Sequence, residues 1–331
     1  MKLMTVADSS QVAEVRRESR KVGKALGMSE HDLGRVAIVA TEMATNQLKH
    51  AGGGRVLARG FDDGSGSGLE LVAFDSGPGI RDIAAAMRDG YSTAGSAGQG
   101  LGAMRRQSDV FEIASWPKQG TALLCRFETG KPPSRVGGKR SIWGALCIPM
   151  PGEEVCGDGW TVIERPDGLS GMVVDGLGHG PLAAVASTTA VRLAAAHADL
   201  PLATLLDRVQ DGLRPTRGAA VALFRLSGDI IYYAGIGNIV GATVQADKIV
   251  RMVSISGTAG LTLGRARVFQ YPGPQGGLII MHSDGIGTSW ALGKYPGLAA
   301  AHPSLVAAIL FRDFNRGRDD ATILVIRVGG A

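Results

Sequence analysis

Hydrophobic positions keep a helical period at the start of the chain and a strand period through most of its remainder. Across residues 11–26, Val12, Val15, Val22 and Leu26 recur among charged residues. That spacing predicts an amphipathic surface helix, with Gly27 suited to close it. Ser29 is placed to cap a second helix, with Asp32 where a capping box would carry Glu. Its buried face runs through Leu33, Val36, Ala37, Val39, Ala40, Met43 and Ala44. Residues 56–61 and 69–74 then predict a hairpin across the turn DDGSGSG. A short helix over 103–108 and paired strands at 111–115 and 121–127 complete a first block.

A second block begins with apolar strands at 142–148, 161–165 and 170–174. An Ala-rich helix at 182–197 and another at 202–213 come next. Strands are predicted at 219–226, 229–234, 239–244, 249–253, 268–271 and 277–282, then a helix at 304–312 and a closing strand at 323–328. Between the blocks lies GKPPSRVGGKR, residues 130–140, with two prolines, three glycines, four positive charges and no acid. Such a run makes a poor helix and a poor strand. The expected organisation is a domain over 1–129, a linker over 130–140 and a domain over 141–331.

Length and composition fit this division. At 331 residues with 45% hydrophobic content, each block can bury a core. The net charge of +5 would point to nucleic acid or a membrane surface if it lay on a folded face. Instead, residues 1–130 carry 16 Lys and Arg against 15 Asp and Glu, and residues 141–331 carry 15 against 15. The excess sits in the linker, so no nucleic-acid partner is expected. No run approaches eighteen apolar residues and the start has no apolar h-region, so neither a membrane span nor a signal peptide is expected. Three cysteines, Cys125, Cys147 and Cys156, form no even framework; reduced thiols and a cytoplasmic location are expected.

The first block carries a set of polar residues in a fixed order. Glu42, Asn46 and His50 recur every four residues on the second helix, along one stripe. A carboxylate and an amide one turn apart can serve a metal–phosphate centre, and they can equally be a solvated helix face. The second hairpin strand runs into Asp75-Ser76-Gly77-Pro78-Gly79-Ile80, where glycines let backbone approach a flat ligand and the acid can accept from an exocyclic amine. A Gly/Ser-rich run, residues 91–102, opens a helix through Gly98, Gly100 and Gly102, as a phosphate site requires. Gly120-Thr121 then stands at a turn. In this order and spacing the residues resemble the ATP-binding fold shared by GyrB, Hsp90, histidine kinases and MutL. Within it, they are similar to the serine kinases of bacterial partner-switching systems, the RsbW/RsbT type. The resemblance implies that Asn46 holds Mg²⁺ with ATP, that Asp75 reads adenine, and that Gly77, Gly79, Gly98, Gly100, Gly102 and Thr121 surround the nucleotide. It makes Glu42 the candidate base for a protein serine hydroxyl.

In the second block, Asp158, Asp175, Asp284 and Asp319 each lie beside a predicted buried strand, and Asp175 and Asp284 are followed by glycine. One Asp-Gly is ordinarily a turn. Four acids at strand ends would repel one another unless a divalent cation neutralises them. Oxygen-only ligands favour Mg²⁺ or Mn²⁺. The strings CGDGW, VVDGLGHG, YYAGIGN, MHSDGI and RDDATILVI resemble, in order, the PP2C-like metal-dependent phosphatases of the SpoIIE/RsbU/RsbX branch. That resemblance implies two ions held by Asp158, Asp175, the Gly176 carbonyl, Asp284 and Asp319. Asp320 is left outside the ligand set, Asn238 is read as a turn residue, and His179, His282 and Cys156 are given no catalytic part.

The expected fold class is therefore α+β: an N-terminal two-layer α/β sandwich of the GHKL (Bergerat) type and a C-terminal α-β-β-α sandwich of the PP2C type. The implied function is a partner-switching regulator. Its first half would phosphorylate a Ser or Thr of a STAS-type protein with Mg-ATP. Its second would dephosphorylate phosphoserine or phosphothreonine of the same or a neighbouring regulator, within a larger signalling assembly. The alternative is a phosphatase whose first half only binds ATP or a partner.

Overall fold

A computed structural model describes residues 1–87, 100–129, 141–246, 248–261 and 266–329. The predicted linker at 130–140, Gly98 and the rest of the glycine-rich run up to residue 99 lie outside the described residues. The chain forms two compact units, Met1–Ser134 and Arg135–Ala331.

The first unit has five strands, β1 (Lys2–Val6), β2 (Gly54–Asp63), β3 (Gly66–Asp75), β4 (Val110–Ser115) and β5 (Thr121–Glu128), in the sheet order β1-β2-β3-β5-β4. Every neighbouring pair is antiparallel. Its helices are α1 (Ser9–Ala25), α2 (Glu30–Asn46), α3 (Ile83–Ala86) and α4 (Gly100–Gln107). Asp8 caps α1 in a capping box with Gln11, and the Ser29 hydroxyl accepts from the Asp32 amide at the start of α2. Val36, Val39, Ala40 and Met43 of α2 pack on Leu69, Leu71, Leu123 and Cys125 of the sheet, giving the two-layer sandwich expected. Strand β1 was not expected from the pattern. Its alternation is short, with Met4 and Val6 buried, and only pairing with β2 makes it a strand.

Alternate strand positions on the other face of this sheet carry a buried ionic network. Arg126 donates through Nε to Glu70 and through Nη2 to Asp63, both at 2.8 Å, and its guanidinium lies 4.1 Å from the Phe61 ring centroid. Arg59 takes the other Glu70 oxygen at 2.9 Å. Two cations and two carboxylates balance, and the fork geometry of arginine satisfies both acids. The network ties β2, β3 and β5 together behind the candidate site.

The end of α2 departs from regular helix. Residues Gln47–Ala51 widen into a π turn, and the buried Gln47 amide donates to the carbonyls of Arg55 at 2.9 Å and Phe74 at 3.2 Å. The turn changes the helical spacing beyond Asn46, yet His50 still lines the same cavity as Asn46. Helix α4 begins at Gly100, three residues earlier than its apolar pattern implies.

The second unit holds two five-stranded antiparallel sheets. One has the order β13-β10-β9-β8-β7, formed by β7 (Asp158–Arg165), β8 (Gly168–Gly176), β9 (Ala219–Ser227), β10 (Ile230–Ile236) and β13 (Phe269–Pro272). The other has the order β12-β11-β14-β15-β6, formed by β6 (Ile142–Ile148), β11 (Val240–Gln245), β12 (Lys248–Met252), β14 (Leu278–His282) and β15 (Ala321–Arg327). Val173, Phe224 and Tyr233 of the first meet Ile279, Met281 and Leu324 of the second in the core between them. Helices α5 (Gly180–Ala196) and α6 (Leu202–Leu213) cover the first sheet through Ala186, Ala190, Leu206 and Val209. Helix α7 (Pro303–Phe314) packs on β6 and β15. The layering is α-β-β-α, as expected. Strand β7 starts at Asp158, three residues earlier than predicted, because pairing with β8 extends the ladder through Asp158 and Asp175.

Replacing Arg126 with Met leaves Asp63 buried without a cation and Glu70 with Arg59 alone. Removal of one partner from a buried ion pair costs about 3–5 kcal/mol. Urea unfolding of the variant is expected to show a loss of that size; a loss below about 1 kcal/mol would show that other groups satisfy the two acids.

Candidate active sites

In the first unit a cavity of about 790 Å³ opens between α2, the π turn, the end of β3 and the start of α4. Met104, Ile113 and Leu123 make an apolar floor. Asp75, the last residue of β3, stands at its edge, and its Oδ1 accepts from the amides of Gly77 at 2.9 Å and Thr121 at 3.3 Å. Gly79 has φ 69°, and a Cβ there would lie 2.0 Å from the Trp116 carbonyl oxygen, so no side chain fits. A Cβ on Gly100 would lie 2.9 Å from Glu42 Oε2 and 3.2 Å from Asn46 Nδ2. Glu42 and Asn46 thus stand together against the first residue of α4, where helix amides favour an anion.

Of the residues predicted for this site, Asn46, Asp75, Gly79, Gly100 and Thr121 line the cavity. Glu42 flanks it at Gly100. Gly77 packs against Ala51, and Gly102 is buried within α4. Lys49, Arg81 and Lys118 also line it and were not singled out from the sequence. A single surface cation carries no pattern; only the fold brings these three to one opening. An apolar slot with a carboxylate at its edge and cations at its mouth fits an adenine nucleotide.

In the second unit the predicted acids converge from different strands. Asp158 opens β7 directly opposite Asp175 at the end of β8. Asp284 follows β14, and Asp319 precedes β15. Burial, and then the carboxylates of Asp158, Asp284, Asp319 and Asp320, push Asp175 up to about 9. Burial, helped by the charges of Asp320 and Asp319, outweighs the hydroxyls of Ser283 and Thr322 and pushes Asp158 up to about 7. Burial and Asp319 also raise Asp284. Among the described residues no three acids, histidines or cysteines are gathered tightly enough to hold a metal ion. The acids act on one another through space rather than through a closed ligand set. The donor chemistry nonetheless fits a divalent cation: Asp158 Oδ1 is buried with no hydrogen-bond partner, while its Oδ2 accepts from Ser283 Oγ at 2.7 Å.

Neighbouring polar groups set the orientation of these acids. Asn238 Nδ2 donates to Asp284 Oδ2 at 2.8 Å, so Asn238 is more than the turn residue its sequence context implied. Asp320 accepts from the amides of Met150 and Gly157, each at 2.8 Å, and holds both ends of the loop before β7. The Gly176 amide donates to the Gly157 carbonyl, and a Cβ on Gly176 would lie 2.3 Å from the Ala183 carbonyl oxygen. His179 Nδ1 lies 2.6 Å from Glu153 Oε1. His282 is buried, accepts from Trp290 Nε1 at 3.0 Å, and is pushed down by burial to about 4, so it is a neutral packing residue.

Comparison with known proteins separates the two units. The histidine kinase-like ATPase domain family matches residues 5–127. The serine/threonine-protein kinase RsbT of Bacillus subtilis (strain 168) is 35% identical over 123 residues, which is 37% of this chain and 90% of that protein. This chain belongs to the RsbT family. The RsbT-family unit accounts for less than half of it. A solved chain of the bacterial stressosome, a modular system that has been adapted to control secondary messenger signaling, matches with TM-score 0.53 and 26% identity. It covers 56% of this chain, more than the RsbT-family unit holds, and 99% of that chain. A crystal structure of RsbX in complex with magnesium has TM-score 0.48 and 19% identity, covering 57% of this chain and 94% of that one. No helix among the described residues is long and apolar enough to cross a membrane.

The raised carboxylates set a pH dependence. Asp158 and Asp175 hold their protons more tightly folded than unfolded. Their contribution to stability is full below about pH 4 and is lost as pH rises through about 7 and then about 9. In chelator, the melting temperature of the second unit is expected to fall between pH 5 and pH 9. A divalent cation held by these acids would take the place of those protons, so the stabilising shift from Mn²⁺ is expected to be larger at pH 8 than at pH 6. A pH-independent shift would show that these acids are not the ligands.

Proposed function

We propose that the chain is a bifunctional partner-switching regulator. The RsbT-family unit transfers the γ-phosphoryl group of Mg-ATP to a Ser or Thr hydroxyl of a STAS-type regulatory protein. The second unit hydrolyses phosphoserine or phosphothreonine on the same protein or on a neighbour in its assembly. The observation that carries this reading is the presence in one chain of an RsbT-family nucleotide cleft and a strand-end cluster of acids, one of which keeps a buried oxygen without a partner. The likeness to a stressosome chain supports a larger assembly as its setting.

On the kinase side, the chain's own residues position the reactants. Asp75 and the apolar floor take the base. The α4 N-terminus, Lys49, Arg81 and Lys118 face the phosphates. Asn46 holds Mg²⁺, and Glu42 accepts the hydroxyl proton. On the phosphatase side, Asp158, Asp175, the Gly176 carbonyl, Asp284 and Asp319 hold two divalent cations, Mn²⁺ or Mg²⁺. Those cations, when bound, lower the pKa of a water and neutralise phosphoryl charge. Ser283 and Asn238 keep Asp158 and Asp284 turned to the site.

Purified full-length chain with Mg-ATP and a STAS-domain protein tests both halves. The STAS protein is expected to gain one phosphoryl group, most fully with Asp175→Asn, in which the opposing dephosphorylation is removed. Glu42→Ala is expected to reduce transfer by about 100-fold or more with nucleotide binding retained. Nucleotide binding without transfer by the unmutated chain would reduce the first unit to a sensing or sequestering module. Asp175→Asn is expected to remove Mn²⁺-dependent dephosphorylation while transfer persists; retained dephosphorylation would mean that other groups hold the metal.

A further inference from the structure

Two of the three cysteines meet beside the acid cluster, and neither takes part in the chemistry above. Cys147 is the penultimate residue of β6, and Cys156 lies in the loop before β7. Their sulfurs are 3.4 Å apart. Cys147 Sγ also lies 3.6 Å from the Asp158 carbonyl oxygen. Both residues are half-buried, whereas Cys125 is fully buried in the core of the RsbT-family unit.

The backbone around the pair is unequally held. Cys147 is fixed in the sheet, opposite Thr322 of β15. Cys156 sits in a loop held at Met150 and Gly157 by the Asp320 carboxylate. A disulfide has a sulfur–sulfur distance of about 2.05 Å, so the sulfurs must close by about 1.4 Å. Cys156 lies outside the sheet, directly before Gly157 and Asp158. Gly157, whose amide donates to Asp320, and Asp158, which pairs with Asp175, are the next two residues along the chain.

We propose that Cys147 and Cys156 are an oxidative modification site, taking a two-electron oxidant of the peroxide class and closing to an intramolecular disulfide. One thiol attacks hydrogen peroxide: a sulfur–oxygen bond forms, the oxygen–oxygen bond breaks, and water leaves. The second thiol attacks the resulting sulfenic sulfur: the sulfur–sulfur bond forms and a second water leaves. Both sulfurs are oxidised by one electron each, and one peroxide is reduced to two waters. Oxidation then weakens the acid cluster by displacing Asp158. This consequence rests on the phosphatase reading; the disulfide itself does not.

The reduced full-length chain, treated with stoichiometric hydrogen peroxide and then denatured, decides the matter. Free thiols are expected to fall from three to one per chain, the remaining one being Cys125. A non-reducing digest is expected to yield a peptide joining residues 147 and 156, and dithiothreitol to restore three thiols. Cys147→Ser and Cys156→Ser are each expected to abolish the linked peptide. Mn²⁺-dependent phosphatase activity, measured in parallel, is expected to drop about tenfold or more on oxidation and recover on reduction, as loss of support around a metal ligand implies. Both serine variants are expected to resist that drop. Only sulfinic or sulfonic acid at these positions, or a disulfide through Cys125 or between chains, would overturn the site. A linked peptide in a chain with no phosphatase activity even when reduced would keep the modification site and sink the phosphatase reading instead.

Discussion

The second unit is organised around negative charge confined where two sheets end. Asp158 and Asp175 face each other across a strand pair, a placement that like charges oppose. Nothing cationic among their named neighbours balances them, so burial and mutual repulsion hold their protons on. Three of the acids are each held by a different device. Ser283 fixes one oxygen of Asp158, Asn238 fixes Asp284, and the Asp320 amide fixes Asp319. Asp320 spends both oxygens on backbone amides and anchors the loop that feeds β7. A divalent cation at these acids would relieve the same repulsion and so would couple metal affinity, stability and pH through one set of residues.

The RsbT-family unit handles buried charge in the opposite way. Arg59 and Arg126 neutralise Glu70 and Asp63 within the sheet, so that network is complete without a ligand. It braces the strands that end at Asp75 and Thr121. On the helix side, the π turn lets Gln47 reach between β2 and β3 and brings Lys49 and His50 to the cavity. The site is thus held from both faces of one sheet. The opposed chemistries proposed for the two units stem from this contrast: one positions a ligand on a charge-balanced frame, and the other keeps unbalanced charge ready for cations.

Much of this was legible in the chain itself. Helix α1 and the Ser29 cap arise from local pattern, as do the hairpin and most strands of the second unit, because periodicity and capping are short-range effects. Strand β1 and the early start of β7 were missed because their residues become strand only by pairing with partners far along the chain. Asn238, Lys49, Arg81 and Lys118 were missed as site residues for a related reason. A lone Asn in a turn, or a lone Lys on a helix, has no distinguishing neighbour until the fold supplies one.

The residue types and their order determined the two kinds of chemistry, since glycines that admit no Cβ and acids at strand ends are costly unless something uses them. Tertiary structure alone gave two adjacent acids different partners. Asp319 and Asp320 are adjacent in sequence, yet Asp320 is consumed by the amides of Met150 and Gly157. It alone decided that Cys147 and Cys156 should touch. The span between them forms a loop whose ends are pinned by a residue more than 160 positions later in the chain. Periodicity and composition describe neighbours along the backbone, while a buried carboxylate or thiol takes its role from whatever the sheets bring within a few ångströms of it.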